Sequence, residues 1–159
     1  MDRELITFFH RLRSDIYDRI SAGLGDDEPY SENILTEQVL EHLTSIGMVD
    51  NAVVCHHEGA YGRSIVKING CALNDEEDRL DLFSTIYVDA DEPCMVPRDE
   101  ITKAADRAAR FFEAACEGFH KNLEPAGEAY EWAARISRLS NEIERLRVAG
   151  PRNCLLKRC

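Results

Sequence analysis

The chain has 159 residues, a mass of 18.0 kDa and a formal net charge of −11. Its 44% hydrophobic and 31% charged residues describe a folded globular domain rather than a disordered chain, and no apolar run approaches the ~18 residues of a membrane span. The acidic balance argues against broad, unspecific nucleic-acid binding, which needs cationic surface to displace counterions from phosphates.

The first helix is announced by Leu5, Phe8 or Phe9, Leu12, Ile16 and Ile20, one apolar stripe at intervals of three or four. Gly23 and Gly25 end it, and Asp26 to Tyr30 is a connector. A second helix is predicted from Ser31, a good N-cap residue, with Leu35, Val39, Leu43 and Ile46 on its buried face and Gly47 at its C-terminus. Three strands follow: Asn51 to His57, Ser64 to Leu73, and Leu80 to Val88. Residues 59–63 read as the loop between the first two. The polar stretch Asn74 to Asp78 joins the last two as an antiparallel hairpin. Its composition suits a turn for local reasons and lacks the ligand spacing of a calcium-binding EF-hand.

Pro97 opens a long helix whose stripe is Ile101, Ala104, Ala108, Phe111, Ala115 and Phe119. Residues 124–127 break it. A last helix carries Trp132, Ile136, Leu139, Ile143 and Leu146 at 4-3-4-3 spacing, a coiled-coil-like seam of two heptads. Such a seam serves either burial in its own domain or homodimerisation. The predicted fold is α/β or α+β, a small, mainly antiparallel three-stranded sheet flanked by four helices. It forms one domain over residues 1–148. Residues 149–159 make a basic tail that reads as a truncation point, and Arg145, Arg147 and Arg152 are candidate phosphate contacts.

The chemistry-bearing residues are few. Six cysteines at 55, 71, 94, 116, 154 and 159 include no Cys-x-x-Cys pair. With no signal-peptide pattern after Met1, a cytoplasmic protein with reduced thiols is expected. Cys55, Cys71 and Cys116 lie in apolar stretches that suit core packing. Cys55-His56-His57-Glu58 offers metal-ligand atoms, but His10, His42 and His120 are isolated, and water-exposed strand histidines are the plainer reading. No nucleophile elbow, phosphate loop or dinucleotide fingerprint is present. Glu37 on the second helix and Asp81 on the third strand are candidate carboxylates for Mg²⁺-dependent hydrolysis. Asn69 on the middle strand is neutral, and no lysine accompanies Asp81 in Leu80-Asp81-Leu82-Phe83.

These motifs, in this order, resemble a known family. The Phe8-Phe9 helix, the helix Ile34 to Ile46, and the hairpin Val66 to Leu73 followed by Leu80-Asp81-Leu82-Phe83 look like the N-terminal region of AIPR proteins, the abortive-infection phage-resistance proteins of bacteria. The helix with Phe111-Phe112 and the segment Glu142 to Val148 also fit in order. The resemblance implies a restriction-endonuclease-like core of the PD-(D/E)XK kind. By that implication Asn69 stands where an active member has a metal-binding Asp. Asp81 and Phe83 stand at the acidic residue and the Lys of the third-strand motif, and Glu37 at the helix carboxylate. The chain keeps Glu37 and Asp81 and departs at Asn69 and Phe83.

The resulting expectation is a degenerate, non-catalytic module without a cofactor. It would dock the C-terminal region of a longer protein, a partner chain, or a nucleic acid through a local basic patch. Two alternatives stay open: an active Mg²⁺-dependent nuclease using Glu37 and Asp81, and a helix-mediated interaction module using the Trp132 to Leu146 seam.

Overall fold

The computed structural model describes residues 3–22 and 28–150. Four helices and a four-stranded mixed sheet make an α/β fold. In chain order the elements are α1 (Arg3–Ser21), α2 (Glu28–Ser45), β1 (Val53–Tyr61), β2 (Ser64–Leu73), β3 (Arg79–Phe83), α3 (Arg98–Cys116), a 3-10 turn (Phe119–Asn122), α4 (Glu128–Leu139) and β4 (Arg145–Ala149). The sheet order is β1-β2-β3-β4. The first three strands are antiparallel, and β4 lies parallel to β3. A parallel neighbour cannot be reached by a tight turn, and α3 with α4 supplies the long crossover.

Side chains alternate across the sheet and give it two different faces. Val66, Ile68, Leu80 and Leu82 point to one face and pack with Phe111, Ala115, Phe119 and Ile136 of the α3–α4 layer. Each such buried Val, Leu, Ile or Phe side chain contributes on the order of 1.5–3 kcal/mol. Ala72 and Phe83 point to the other face and meet Leu40 of α2 and Val49. Outside α2, α1 is held by a smaller cluster of Ile16, Ile34 and Leu35 with Leu12, Ile20, Val39 and Tyr87 around it. Among the described residues, no helix is long and apolar enough to cross a membrane.

Two hairpins set the register of the antiparallel strands. Gly62, at φ +60°, gives the two-residue loop between Tyr61 and Ser64 its left-handed position. The second hairpin is closed by Asn74, whose Oδ1 accepts the N–H groups of Asp78 (3.1 Å) and Arg79 (2.8 Å). The Asn74 side chain thus clasps the far end of its own turn. In β1 the register shifts between Val54, opposite Gly70, and His57, opposite Ile68. Cys55 and His56 therefore stand together against Asn69, a β-bulge.

Several sequence expectations need correction. The sheet has four strands, not three, and it is mixed. The last helix ends at Leu139, where the N–H groups of Glu142 and Ile143 turn back to the Leu139 carbonyl, and Arg145–Ala149 is a strand. The third strand stops at Phe83 instead of reaching Val88. The first strand continues through Tyr61, so only Gly62 and Arg63 remain as loop. The second helix starts at Glu28 inside the expected connector, and Ile46 lies beyond its end, exposed. Gly23, Gly25, Asp26, Asp27, Arg152, Cys154, Lys157, Arg158 and Cys159 lie outside the described residues, as does the side chain of Leu5.

Candidate functional site

The largest concentration of buried polar groups sits between α2 and the middle of the sheet. Glu32 and Thr36 are one helical turn apart, so they share a face of α2. Lys67 and Asn69 are two residues apart on β2 and share a face of the sheet. The β1 bulge brings His56 to the same place.

Asn69 is fully buried, and its whole amide is used. Its Oδ1 accepts the Thr85 N–H at 2.8 Å, and its Nδ2 donates to Glu32 Oε2 at 3.1 Å. The same Nδ2 lies 3.2 Å from His56 Nδ1, which accepts when the ring proton is on Nε2. Burial of an amide demands this kind of satisfaction, since each lost bond there costs about 1–3 kcal/mol.

Glu32 is the hub. Lys67 places Nζ 3.0 Å from its Oε1 and 2.9 Å from its Oε2. Glu58 approaches the same ammonium at 3.4 Å. The backbone carbonyl of Glu32 accepts the Thr36 hydroxyl, which is in turn bonded to the Thr85 hydroxyl. The charges therefore close on one another: the Glu32 carboxylate is met by an ammonium and an amide, both from β2.

The residues singled out from sequence are placed differently. Glu37 points away from the sheet and pairs with Arg19 at 2.6 Å. Asp81 is buried on β3 under a two-pronged contact from Arg147, whose Nη2 lies 2.6 Å from Oδ2 and whose Nε bonds Oδ1. Arg79 Nε stands 3.5 Å from the same carboxylate. These bonds raise the Arg147 pKa above its ordinary value. Asp81 is opposite Ala72, three positions along β2 from Asn69 and so roughly 10 Å away at ~3.3 Å per residue. The structure thus gives Glu37 and Asp81 separate arginine partners and does not bring them together. Phe83 is core.

Arg145 is exposed on β4, whereas Arg147 is committed to Asp81 and to the Met48 carbonyl. The proposed seam is not one helical stripe: Ile136 and Leu139 are buried in the domain core, Trp132 and Ile143 pack against it, and Leu146 belongs to β4. In the Cys55 to Glu58 segment, Cys55 is buried and His57 packs its ring 5.6 Å from Phe119 and 6.1 Å from Phe111. Burial, and after it the charge of His56, lowers the His57 pKa. Cys71 is buried too, and burial raises its thiol pKa. Among the described residues, no three His, Cys, Asp or Glu side chains converge on a point that a metal ion could share.

Sequence reasoning passed over Glu32 and Lys67 as site residues. The usable signal was spacing: Lys67-x-Asn69 on a strand, and Glu32 one turn ahead of Thr36 on a helix.

With this geometry in hand, the chain matches the family model of the abortive infection phage resistance protein N-terminal domain over residues 35–149, well over half its length. The chain belongs to the AIPR N-terminal domain family. The match ties it to abortive-infection phage resistance and takes in β1 to β4 with both crossover helices. Glu32 and α1 lie ahead of the matched AIPR segment. No curated protein and no solved structure matches the chain.

Proposed function

We propose that this AIPR N-terminal domain is a degenerate, restriction-nuclease-like core that has given up catalysis and acts in phage defence by docking or binding. The observation that carries the reading is the state of the Asn69 cluster. A Mg²⁺ site of the PD-(D/E)XK kind needs converging hard, anionic oxygens. Here Asn69 is neutral and its only oxygen is taken by the Thr85 N–H. The carboxylate bonded to it, Glu32, already holds the Lys67 ammonium. A resident cation therefore does not fit these residues. Within this reading Glu32, not Glu37, is the helix carboxylate facing the middle strand. Asp81 is a structural partner of Arg147.

The test is a cleavage assay of residues 1–159 on single-stranded DNA, double-stranded DNA and RNA with Mg²⁺ or Mn²⁺. No cleavage beyond that of a Glu32→Gln, Asp81→Ala double variant is expected. Cleavage that EDTA abolishes and either single substitution removes overturns the proposal in favour of an active metal-dependent nuclease.

A further inference from the structure

Among the described residues, β4 is the last strand of the sheet and leaves one edge unpaired. Arg145 donates its N–H to the Asp78 carbonyl, and the Ala149 carbonyl accepts the Ser84 N–H. Parallel ladders alternate, so Arg145, Arg147 and Ala149 bond inward to β3, while the N–H and C=O of Leu146 and Val148 point outward. Among the described residues no strand lies beyond them. Leu146 is an exposed large apolar side chain on this strand. Next to it, Val148 and Gly150 with Ile101, Ala104 and Ala105 of α3 line a cavity of about 320 Å³. The cavity also includes Ser84, whose buried hydroxyl has no hydrogen-bond partner. On the opposite face of the same strand stand Arg145, exposed and, among the described residues, without an ion pair, and Arg147, whose side chain is 48% exposed despite its bond to Asp81.

We infer that β4 accepts an extended segment of a partner protein as a fifth strand, with apolar residues on the α3 side alternating with carboxylates on the arginine side. Outward backbone groups supply the pairing, and the two faces supply the selection. Residues 151–159 are the wrong occupant, because they contain Arg152, Lys157 and Arg158 and no acid. A second copy is also disfavoured: antiparallel pairing of Arg145–Ala149 about a two-fold axis sets Arg145 against Ala149 and offers it no carboxylate. An acidic, alternately apolar segment meets both faces. The inference deepens the docking role proposed above and rests on it, but it uses none of the Asn69 cluster.

The probe is a capped peptide, Ser-Glu-Val-Glu-Leu-Glu-Ser, against its counterpart with lysine for glutamate, added to residues 1–159. Amide exchange of Leu146 and Val148 is expected to slow at least about tenfold with the glutamate peptide and not with the lysine peptide. Arg145→Glu should weaken the glutamate peptide about tenfold or more and favour the lysine peptide. Leu146→Pro, which removes one outward donor while leaving the inward ladder intact, should weaken binding as well; it serves if the first variant does not fold. No slowing at about 1 mM peptide, a concentration that populates even weak complexes, overturns the inference. So does equal slowing by both peptides. Neither result touches the cleavage assay, so the two proposals fail separately.

Discussion

Asp81 and Arg147, 66 residues apart in sequence, face each other across the parallel β3–β4 pair and are joined by two hydrogen bonds. The pair is lopsided: the carboxylate is 4% exposed and the guanidinium 48%. Arg147→Ala leaves a buried carboxylate with only the more distant Arg79, while Asp81→Ala leaves an arginine that reaches water. The first should cost about 2–3 kcal/mol, below the usual figure for breaking a buried pair because one partner is solvated. The second should cost about 1–2 kcal/mol. Urea unfolding of both variants checks the order. An Asp81→Ala loss larger than that of Arg147→Ala would contradict this placement.

Asn69→Asp sets a second carboxylate 3.1 Å from Glu32. Two like charges in contact oppose the fold while both are ionised, so the variant should be less stable than the wild type at neutral pH. The gap should narrow in acid, because protonation relieves the contact. Two adjacent carboxylates also make a cation welcome. Thermal unfolding should show Mn²⁺ raising the Tm of Asn69→Asp by several degrees and leaving the wild type unmoved. A comparable rise in the wild type would mean that the native cluster binds the metal.

His57 carries the clearest pH dependence. Its pKa is lowered, first by burial and then by His56, with Glu58 opposing. The folded state therefore favours the neutral ring, and the unfolded chain takes up a proton first as pH falls. The stability this group provides is intact above the unfolded value of about 6.5 and is lost as pH drops through the lower folded value. His57→Phe keeps an aromatic ring beside Phe111 and Phe119 and removes a ring nitrogen, Nε2, that has no hydrogen-bond partner. Its urea midpoint should fall less between pH 7 and pH 5 than that of the wild type.

At Gly70 both α2 and β1 approach β2 closely. A Cβ there would lie 2.9 Å from Leu40 Cδ1 and 3.0 Å from the Val53 carbonyl oxygen. One of those is backbone and cannot swing aside. Gly70→Ala should destabilise by about 1–3 kcal/mol, the usual cost of overfilling a packed site. Calorimetry on this single variant measures it.

The sequence was most legible where one periodicity ruled. The strand Ser64–Leu73 could be read from its β-branched Ile65, Val66 and Ile68, and the helix after Pro97 from a proline and one apolar stripe. β4 could not, because Ile136, Leu139, Ile143 and Leu146 keep helical spacing while Leu146-x-Val148 offers only one step of alternation. The helix carboxylate was missed for a related reason. Glu32 and Glu37 are five residues apart, about 140° around the helix. Apolar residues at Ile34, Leu35, Val39, Leu40 and Leu43 make a stripe too broad to say which glutamate faces the sheet. Asp81 could be picked out as a buried-strand carboxylate, but its role depends on Arg147, and that partner becomes visible only once β4 is in place.

The late position of β4 has a consequence for how the protein is made. As the chain leaves the ribosome, β1, β2 and β3 can pair through short hairpins at once, whereas Arg147 emerges only after two further helices. Until then the Asp81 carboxylate has Arg79 alone beside it, and one side of β3 is bare. A nascent chain halted between Leu139 and Arg145 would hold an unfinished sheet with the β4 side of Asp81 uncovered. Among the described residues, the β3–β4 pairing with its Asp81–Arg147 contact is thus the last of the sheet to become possible during synthesis.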